Sequence, residues 1–309
     1  MPDIVICEFM DEDAIRDELS GHDVLYDPEL VDRPDELKAL VAGARALVVR
    51  NRTQVRGELL ASAARLRAVG RLGVGLDNID LAACAARGIT VLPATGANDV
   101  AVAEWVIACA MLLMRGAYGA TGEVLAGAWP RGRLMGREVA GKVLGLVGFG
   151  AIAREVARRA LALGMVVEAY DPFIGDEAFA QAGVKRHGLE PLIRESDIVS
   201  LHVPLTDDTR GMMDALRLAR MKPDAILLNA ARGGVIDEPA LAEALKAGRL
   251  GGAALDVFDE EPLGAARAAM FAGCPNLILT PHVAGVTLES NARVSRLTAQ
   301  NVKRVLGQE

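Results

Sequence analysis

Residues 141–172 read GKVLGLVGFGAIAREVARRALALGMVVEAYDP, and this stretch decides the fold. The apolar run 143–147 predicts a strand that breaks at Gly148-Phe149-Gly150. A helical pattern follows, with Ile152, Val156, Ala160 and Leu163 on one face and Arg154, Glu155, Arg158 and Arg159 on the others. Gly164 stops that helix, the run 165–169 predicts a second strand, and Asp171 stands just past its end, about twenty residues after the glycines. A glycine triplet alone marks a tight turn in any doubly wound sheet. Here strand, helix, second strand and terminal acid fall in register, which is the pattern of a dinucleotide site. Gly148 makes the turn and Gly150 lets the backbone approach a pyrophosphate. The helix opening at Ala151 aims unpaired N–H groups and the positive end of its dipole at the phosphates. Ala153 takes the third glycine place. Asp171 can accept hydrogen bonds from ribose hydroxyls and would repel a 2′-phosphate, and no Arg or Lys follows in DPFIGDE, so the expected cofactor is NAD rather than NADP.

The rest of the chain is read outward from this unit. At 309 residues it is long for one core, and two α/β domains are expected. The net charge of −7 and the lack of a basic stripe argue against nucleic acid as a partner. The longest apolar candidate for a membrane span, 100–114, is interrupted by Glu104, and the N-terminus lacks a basic region followed by an apolar core, so no membrane partner and a cytoplasmic location are expected. Cys7, Cys84, Cys109 and Cys274 lie in apolar surroundings without CxxC or His-paired spacing, which predicts reduced thiols and no metal site.

Before the dinucleotide unit, apolar runs at 3–7, 23–26, 46–49, 66–69 and 89–92 alternate with helical patterns at 11–20, 34–42, 58–64 and 81–87, a flavodoxin-like order. Two loops at the carboxyl ends of these strands attract ligands by position: Arg50-Asn51-Arg52-Thr53 and the glycine-rich 73–78. Residues 93–98 read as a hinge. The helix after it, 99–115, is apolar on nearly every face, including Trp105, Ile107, Met111 and Leu112, so burial on all sides and a homodimer contact through 99–129 are expected. Arg131 and Arg133 end the small-residue arm that follows. After Asp171 the strands resume at 197–201, 225–228, 252–255 and 277–279. The last helix, 288–305, has no strand after it and is expected to pack back on the first domain. The expected architecture is therefore α/β with two doubly wound domains: a Rossmann NAD-binding domain over 98–286, inserted in a flavodoxin-like substrate domain over 1–97 plus 287–309.

Each strand of the later half delivers an unusual polar residue past its carboxyl end: His202, Asn229 with Arg232, Asp256 with Glu261, and His282. A series on the rim where such sheets bind ligands marks a site. Of the four histidines, His22 and His187 lie in turn-like polar contexts and read as surface residues, while His202 reads as a packing or cofactor-contact residue beside the nicotinamide. Reducing a ketone with a hydride donor requires a proton for the developing alkoxide, and the imidazole of His282 can give it and reclaim it in reverse. Glu261 offers that imidazole a carboxylate that favours its cationic form and fixes its tautomer. Arg232 offers a planar fork for a substrate carboxylate.

The segments NAARGGVID, LDVFDEEP and TPHVAG, together with GFGAIARE, YDP, RNRT, GVGLDNID and NDVAVAE, resemble the D-isomer-specific 2-hydroxyacid dehydrogenases, close to their phosphoglycerate dehydrogenase branch. The resemblance covers essentially the whole chain. It implies Arg232 as substrate anchor, His282 as proton donor and acceptor with Glu261 as its partner, and the backbone amides of Val74 and Gly75 on the substrate carboxylate. Around NAD it implies Gly148, Gly150, Ala151, Ile152, Asp171, His202, Pro204, Thr209, Ala230, Asp256, His282 and Gly285. It also implies a flavodoxin-like substrate domain formed by both termini and a dimer built on the Rossmann domain. The sequence departs from the family pattern at Ala153, and it ends at Glu309 without the regulatory domain of some phosphoglycerate dehydrogenases, so control by serine is not expected.

The expected activity is interconversion of a D-configured 2-hydroxy acid and its 2-oxo acid. Arg50 and Arg52, with Arg131 and Arg133 in the arm, would suit a second anionic group, as in D-3-phosphoglycerate or 3-sulfolactate. In sulfolactate the sulfur raises the priority of the CH2SO3 arm above the carboxylate, so the enantiomer of D-like geometry is named S. The alternatives are a glyoxylate or hydroxypyruvate reductase and an NAD-sensing corepressor-like binding module. The latter relatives keep the same site residues but carry long tails, and this chain has no low-complexity extension.

Overall fold

The structure is a computed structural model that describes residues 1–307. The chain divides into two compact units, one formed by Met1–Asn98 with Val286–Glu309, the other by Asp99–Gly285.

In the first unit five parallel strands, β1 (Ile4–Ile6), β2 (Val24–Tyr26), β3 (Ala46–Val49), β4 (Ala68–Arg71) and β5 (Thr90–Pro93), lie in the order β2-β1-β3-β4-β5. That is the flavodoxin-like order. β1 and β3 are buried at every position because helices cover both faces, which is why they read as unbroken apolar runs. β4 sits two residues later than its apolar run suggests. Pairing Ala46 with Ala68 and Val49 with Arg71 sets its register, and a strand ending in arginine is not visible to an apolar pattern. The helix Leu288–Leu306 belongs to this unit. Thr287 and Ser290 form a reciprocal cap at its start, and Val294, Ala299, Val302 and Leu306 enter the core beside Ile4, Ile6 and Val48.

The second unit holds β6 (Val143–Val147), β7 (Val166–Tyr170), β8 (Lys185–Arg186), β9 (Ile198–Leu201), β10 (Ile226–Asn229), β11 (Gly252–Leu255) and β12 (Leu277–Leu279). Read from one edge the order is β8-β7-β6-β9-β10-β11-β12, all parallel, the Rossmann sequence with one more strand. The edge strand β8 escapes a reading of apolar runs because it is two exposed cations. Phe149 and Phe179 stack at 4.6 Å between ring centroids within one of its two cores.

The helix Asp99–Arg115 is not buried on all sides in the single chain. Ala103, Val106, Ala110 and Leu113 enter the core, while Val100, Met111 and Leu112 face outward. The arm after it contains a turn of 3-10 helix, Tyr118–Ala120, and a short helix, Thr121–Leu125. Among the described residues no single helix is long and apolar enough to cross a membrane.

The helix Leu288–Leu306 lies so close to β4 that a side chain at Gly70 has no room: a Cβ there would stand 2.8 Å from Val302 Cγ2 and 2.9 Å from Thr298 Cγ2. Gly70→Ala is therefore expected to cost about 1–3 kcal/mol of stability and to lower Tm. Combined with Val302→Ala, the loss should be smaller than the sum of the two single changes. Strict additivity in thermal melts would contradict this contact.

Candidate active site

The turn after β6 is built for close approach. Gly148 has φ of +93°, its N–H donates to the Tyr170 carbonyl at 2.7 Å, and a Cβ would strike the His202 carbonyl. Gly150 precedes the helix Ala151–Ala162 with open space in front of it, and no side chain caps that helix. An uncapped helix start behind two glycines fits a dinucleotide pyrophosphate, for which Ala151 and Ile152 offer N–H groups. Ala153 is fully buried in the core, so a methyl group at the third glycine place fills space that the core provides.

Asp171 stitches the end of β7 to this turn. One carboxylate oxygen accepts from Phe149 N and the other from Phe173 N, each at 2.9 Å, leaving lone pairs for further donors. The cation absent from the residues after Asp171 arrives from β8 instead: Arg186 reaches the Asp171 carbonyl at 3.5 Å, with its charge opposed by Asp176.

The loop after β9 carries His202, Pro204 and Thr209. The His202 ring shares a hydrogen bond with Ser200 Oγ at 2.9 Å, and burial pushes its pKa down to about 4, so it is neutral at physiological pH. Thr209 staples the loop by donating to the Pro204 carbonyl at 2.6 Å and accepting from Thr206 N.

After β10, the buried Asn229 accepts from Ala231 N at 3.0 Å and donates to the Arg232 carbonyl at 2.9 Å, which fixes the turn through Ala230. Gly233 lies directly against the Phe258 carbonyl, where any side chain would collide. This approach brings the Arg232 loop to the loop of Glu261. One Glu261 oxygen accepts from Phe258 N at 3.0 Å and the other meets His282 Nδ1 at 2.6 Å. Burial raises the Glu261 carboxyl, but the His282 ring, the Phe258 N–H and the Arg232 charge outweigh it, and the net position is below the usual carboxylate range.

His282 itself has a left-handed backbone, φ +55°. Asp256 holds it there. Asp256 is 1 % exposed, and its carboxylate accepts from the histidine loop. One oxygen takes Thr280 Oγ1 at 2.6 Å and Val283 N at 2.8 Å, the other takes Ala284 N at 2.8 Å, and its carbonyl takes His282 N at 2.8 Å. Gly285 closes this loop and the unit.

In the first unit, the loop after β3 is organised by Glu8, a buried carboxylate at the end of β1 that the sequence reading passed over. It accepts from Arg50 N at 2.9 Å, Thr53 N at 3.0 Å and Arg52 N at 3.2 Å. Asn78 ties the same loop to the segment of Val74 and Gly75, donating to the carbonyls of Arg50 and Thr53 at 3.1 and 2.7 Å. Arg71, at the end of β4, folds under Gly73 and donates to the Leu72 carbonyl. The rule that found His282, a polar residue just past an apolar strand, also points to Glu8 once it is applied to β1. Of the two arm arginines, Arg133 is paired with Glu123 and Arg131 is exposed. His187, expected at the surface, is only 15 % exposed, between Glu168 at 3.6 Å and Glu195 at 3.7 Å, because β8 and the helix Leu189–Glu195 enclose it.

Comparison with known proteins names the family. The family model for the D-isomer specific 2-hydroxyacid dehydrogenase NAD binding domain matches residues 107–284. The (S)-sulfolactate dehydrogenase of Chromohalobacter salexigens is 54% identical over 308 residues, 99% of each chain. The D-3-phosphoglycerate dehydrogenase of Archaeoglobus fulgidus is 40% identical over 268 residues, 87% of this chain but 50% of the relative, so the chain spans about half the length of that protein. The crystal structure of D-lactate dehydrogenase from Aquifex aeolicus, complexed with NAD and lactic acid, is 28% identical and superimposes with a TM-score of 0.86 over 98% of this chain and 95% of that one. With the dinucleotide turn, the His282–Glu261 pair and the relatives in agreement, the chain belongs to the D-isomer specific 2-hydroxyacid dehydrogenase family and is an NAD-dependent oxidoreductase that interconverts 2-hydroxy acids and 2-oxo acids.

Proposed function

We propose that the substrate carries a second anionic group and is (S)-3-sulfolactate, with D-3-phosphoglycerate as the second candidate. The observation that carries the catalytic part is the 2.6 Å contact between His282 Nδ1 and Glu261, with Arg232 acting on the same carboxylate. Ionised Glu261 accepts only, so Nδ1 holds its proton and Nε2 is left to exchange one with substrate. In reduction, Nε2 gives its proton to the developing alkoxide; in oxidation it takes the proton back. Arg232 is the anchor for the substrate carboxylate. Bound NAD supplies or accepts the hydride. Gly148, Gly150, Ala151, Ile152, Asp171, His202, Pro204, Thr209, Ala230, Asp256, His282 and Gly285 form its surroundings.

The substrate assignment is supported by the identity to a sulfolactate dehydrogenase along 99% of both chains and by the two arginines after β3. Glyoxylate and hydroxypyruvate lack a second anion for that loop. The relatives are dehydrogenases, which favours the enzyme over a corepressor-like binding module. A homodimer is part of the same reading. Leu125, Trp129 and Met135 are 84%, 76% and 83% exposed, and Met111 and Leu112 also face outward, apolar side chains that a second copy would cover.

His282→Gln is expected to lower turnover with 3-sulfolactate and NAD by orders of magnitude while NADH affinity stays near native. Glu261→Gln should shift the pH profile of reduction. Reduction draws a proton from the cationic ring and so fades as pH rises, and loss of the adjacent negative charge moves that limb to lower pH. Near-native turnover in the His282 variant, or D-lactate used better than both candidates with a second anionic group, would rule the reading out.

Light scattering at micromolar concentration should give twice the chain mass, and Leu125→Asp with Trp129→Asp should reduce it to one. A monomeric native chain would contradict the dimer.

A further inference from the structure

The loop after β3 offers two arginines, and the structure treats them differently. Arg50 is partly buried over the Phe9 ring, 5.5 Å from its centroid, with Nη2 donating to Asn291 at 3.0 Å and Nε enclosed without an acceptor. Burial weakens its hold on the proton, but a guanidinium is charged at any physiological pH. The adjacent carboxylate, Glu8, is directed at backbone N–H groups of the same loop. Among the described residues Arg50 has no ion-pair partner, and a partly desolvated cation of that kind calls for an anion from outside. Arg52 is already matched. Both of its terminal nitrogens engage Asp32, one at 3.2 Å, from the short helical turn Leu30–Asp32.

Resting on the substrate reading above, we propose that Asp32 is a specificity-determining residue: by holding Arg52 it fits this anion subsite to a singly charged arm, a sulfonate, and against a doubly charged phosphate. A sulfonate has three equivalent oxygens and one charge at every pH of interest, which the single charge of Arg50 can meet. A phosphate monoester carries about −1.5 to −2 at pH 7, with its second ionisation near pH 6. It requires more cation, and it meets repulsion from Asp32 or must draw Arg52 away from it. The ion pair is exposed, 57% and 59% for its side chains, so the discrimination it adds is modest, about two- to fivefold. A neighbouring carboxylate thus sets the charge that an otherwise general anion loop presents.

The test uses binding, independent of turnover. Sulfoacetate and phosphoglycolate, each a carboxylate with one anionic arm, are titrated calorimetrically into the full-length protein saturated with NADH, as native chain and as Asp32→Asn. The native chain should prefer sulfoacetate at pH 7.5, less so at pH 5.5 where the phosphate is largely singly charged. Asp32→Asn should shift the affinity ratio at pH 7.5 toward phosphoglycolate by about two- to fivefold. An unchanged ratio, a native preference for phosphoglycolate at pH 7.5, or binding of neither probe overturns the proposal. Failure of the native enzyme to turn over 3-sulfolactate would instead overturn the substrate reading, and the binding ratio would still decide the role of Asp32.

Discussion

The catalytic geometry depends on one buried carboxylate. Asp256, at the end of β11, collects donors from Thr280, Val283 and Ala284 and binds His282 N through its carbonyl. Three loop donors that would otherwise lack acceptors are satisfied by one charge-assisted group, and the buried charge is satisfied in return. The His282 backbone, at φ +55°, is a conformation that a free loop would not keep. With that backbone set, the ring meets Glu261, and Gly233 brings the Arg232 loop against the same segment. The proposed proton carrier, the carboxylate behind it and the proposed substrate anchor therefore follow from how β10 and β11 end.

The same device recurs. Asp171, just after β7, binds Phe149 N and Phe173 N and closes the dinucleotide turn. Glu8, just after β1, binds three N–H groups of the arginine loop. In a parallel sheet the carboxyl ends of the strands open into loops whose N–H groups are not paired by the ladder, and a carboxylate at the strand end answers several at once. Rigid loops at that edge are what a positioned hydride acceptor and a positioned proton require.

What was legible in the chain follows from the range of the interactions involved. The glycine turn, its helix and Asp171 lie within one βαβ unit and could be read from period and spacing alone. His282, Glu261 and Arg232 were legible as polar residues where apolar strands stop. The bonds that organise them were not. Glu8 meets its partners 42 to 45 positions away, and Asp256 reaches 24 to 28 positions, distances over which no periodicity carries information. The pairing of Arg52 with Asp32 depends on where a short helical turn places a carboxylate 20 positions earlier in the chain. β8 was hidden for a different reason: two exposed cations form a strand only because β7 offers them a ladder. For the helix Asp99–Arg115 the single chain covers only part of the apolar circumference, since such a circumference identifies a helix that needs partners without saying how many its own chain provides.

The account rests on Asp256 holding the His282 loop. Asp256→Asn tests this most directly, since the amide turns an N–H toward the backbone donors of the loop and removes at least one bond while keeping the shape. Steady-state turnover of the variant, with NADH affinity measured on the same preparation, should show kcat reduced by roughly 10–100-fold and NADH binding nearly unchanged. Native kcat with weakened NADH binding would contradict the account.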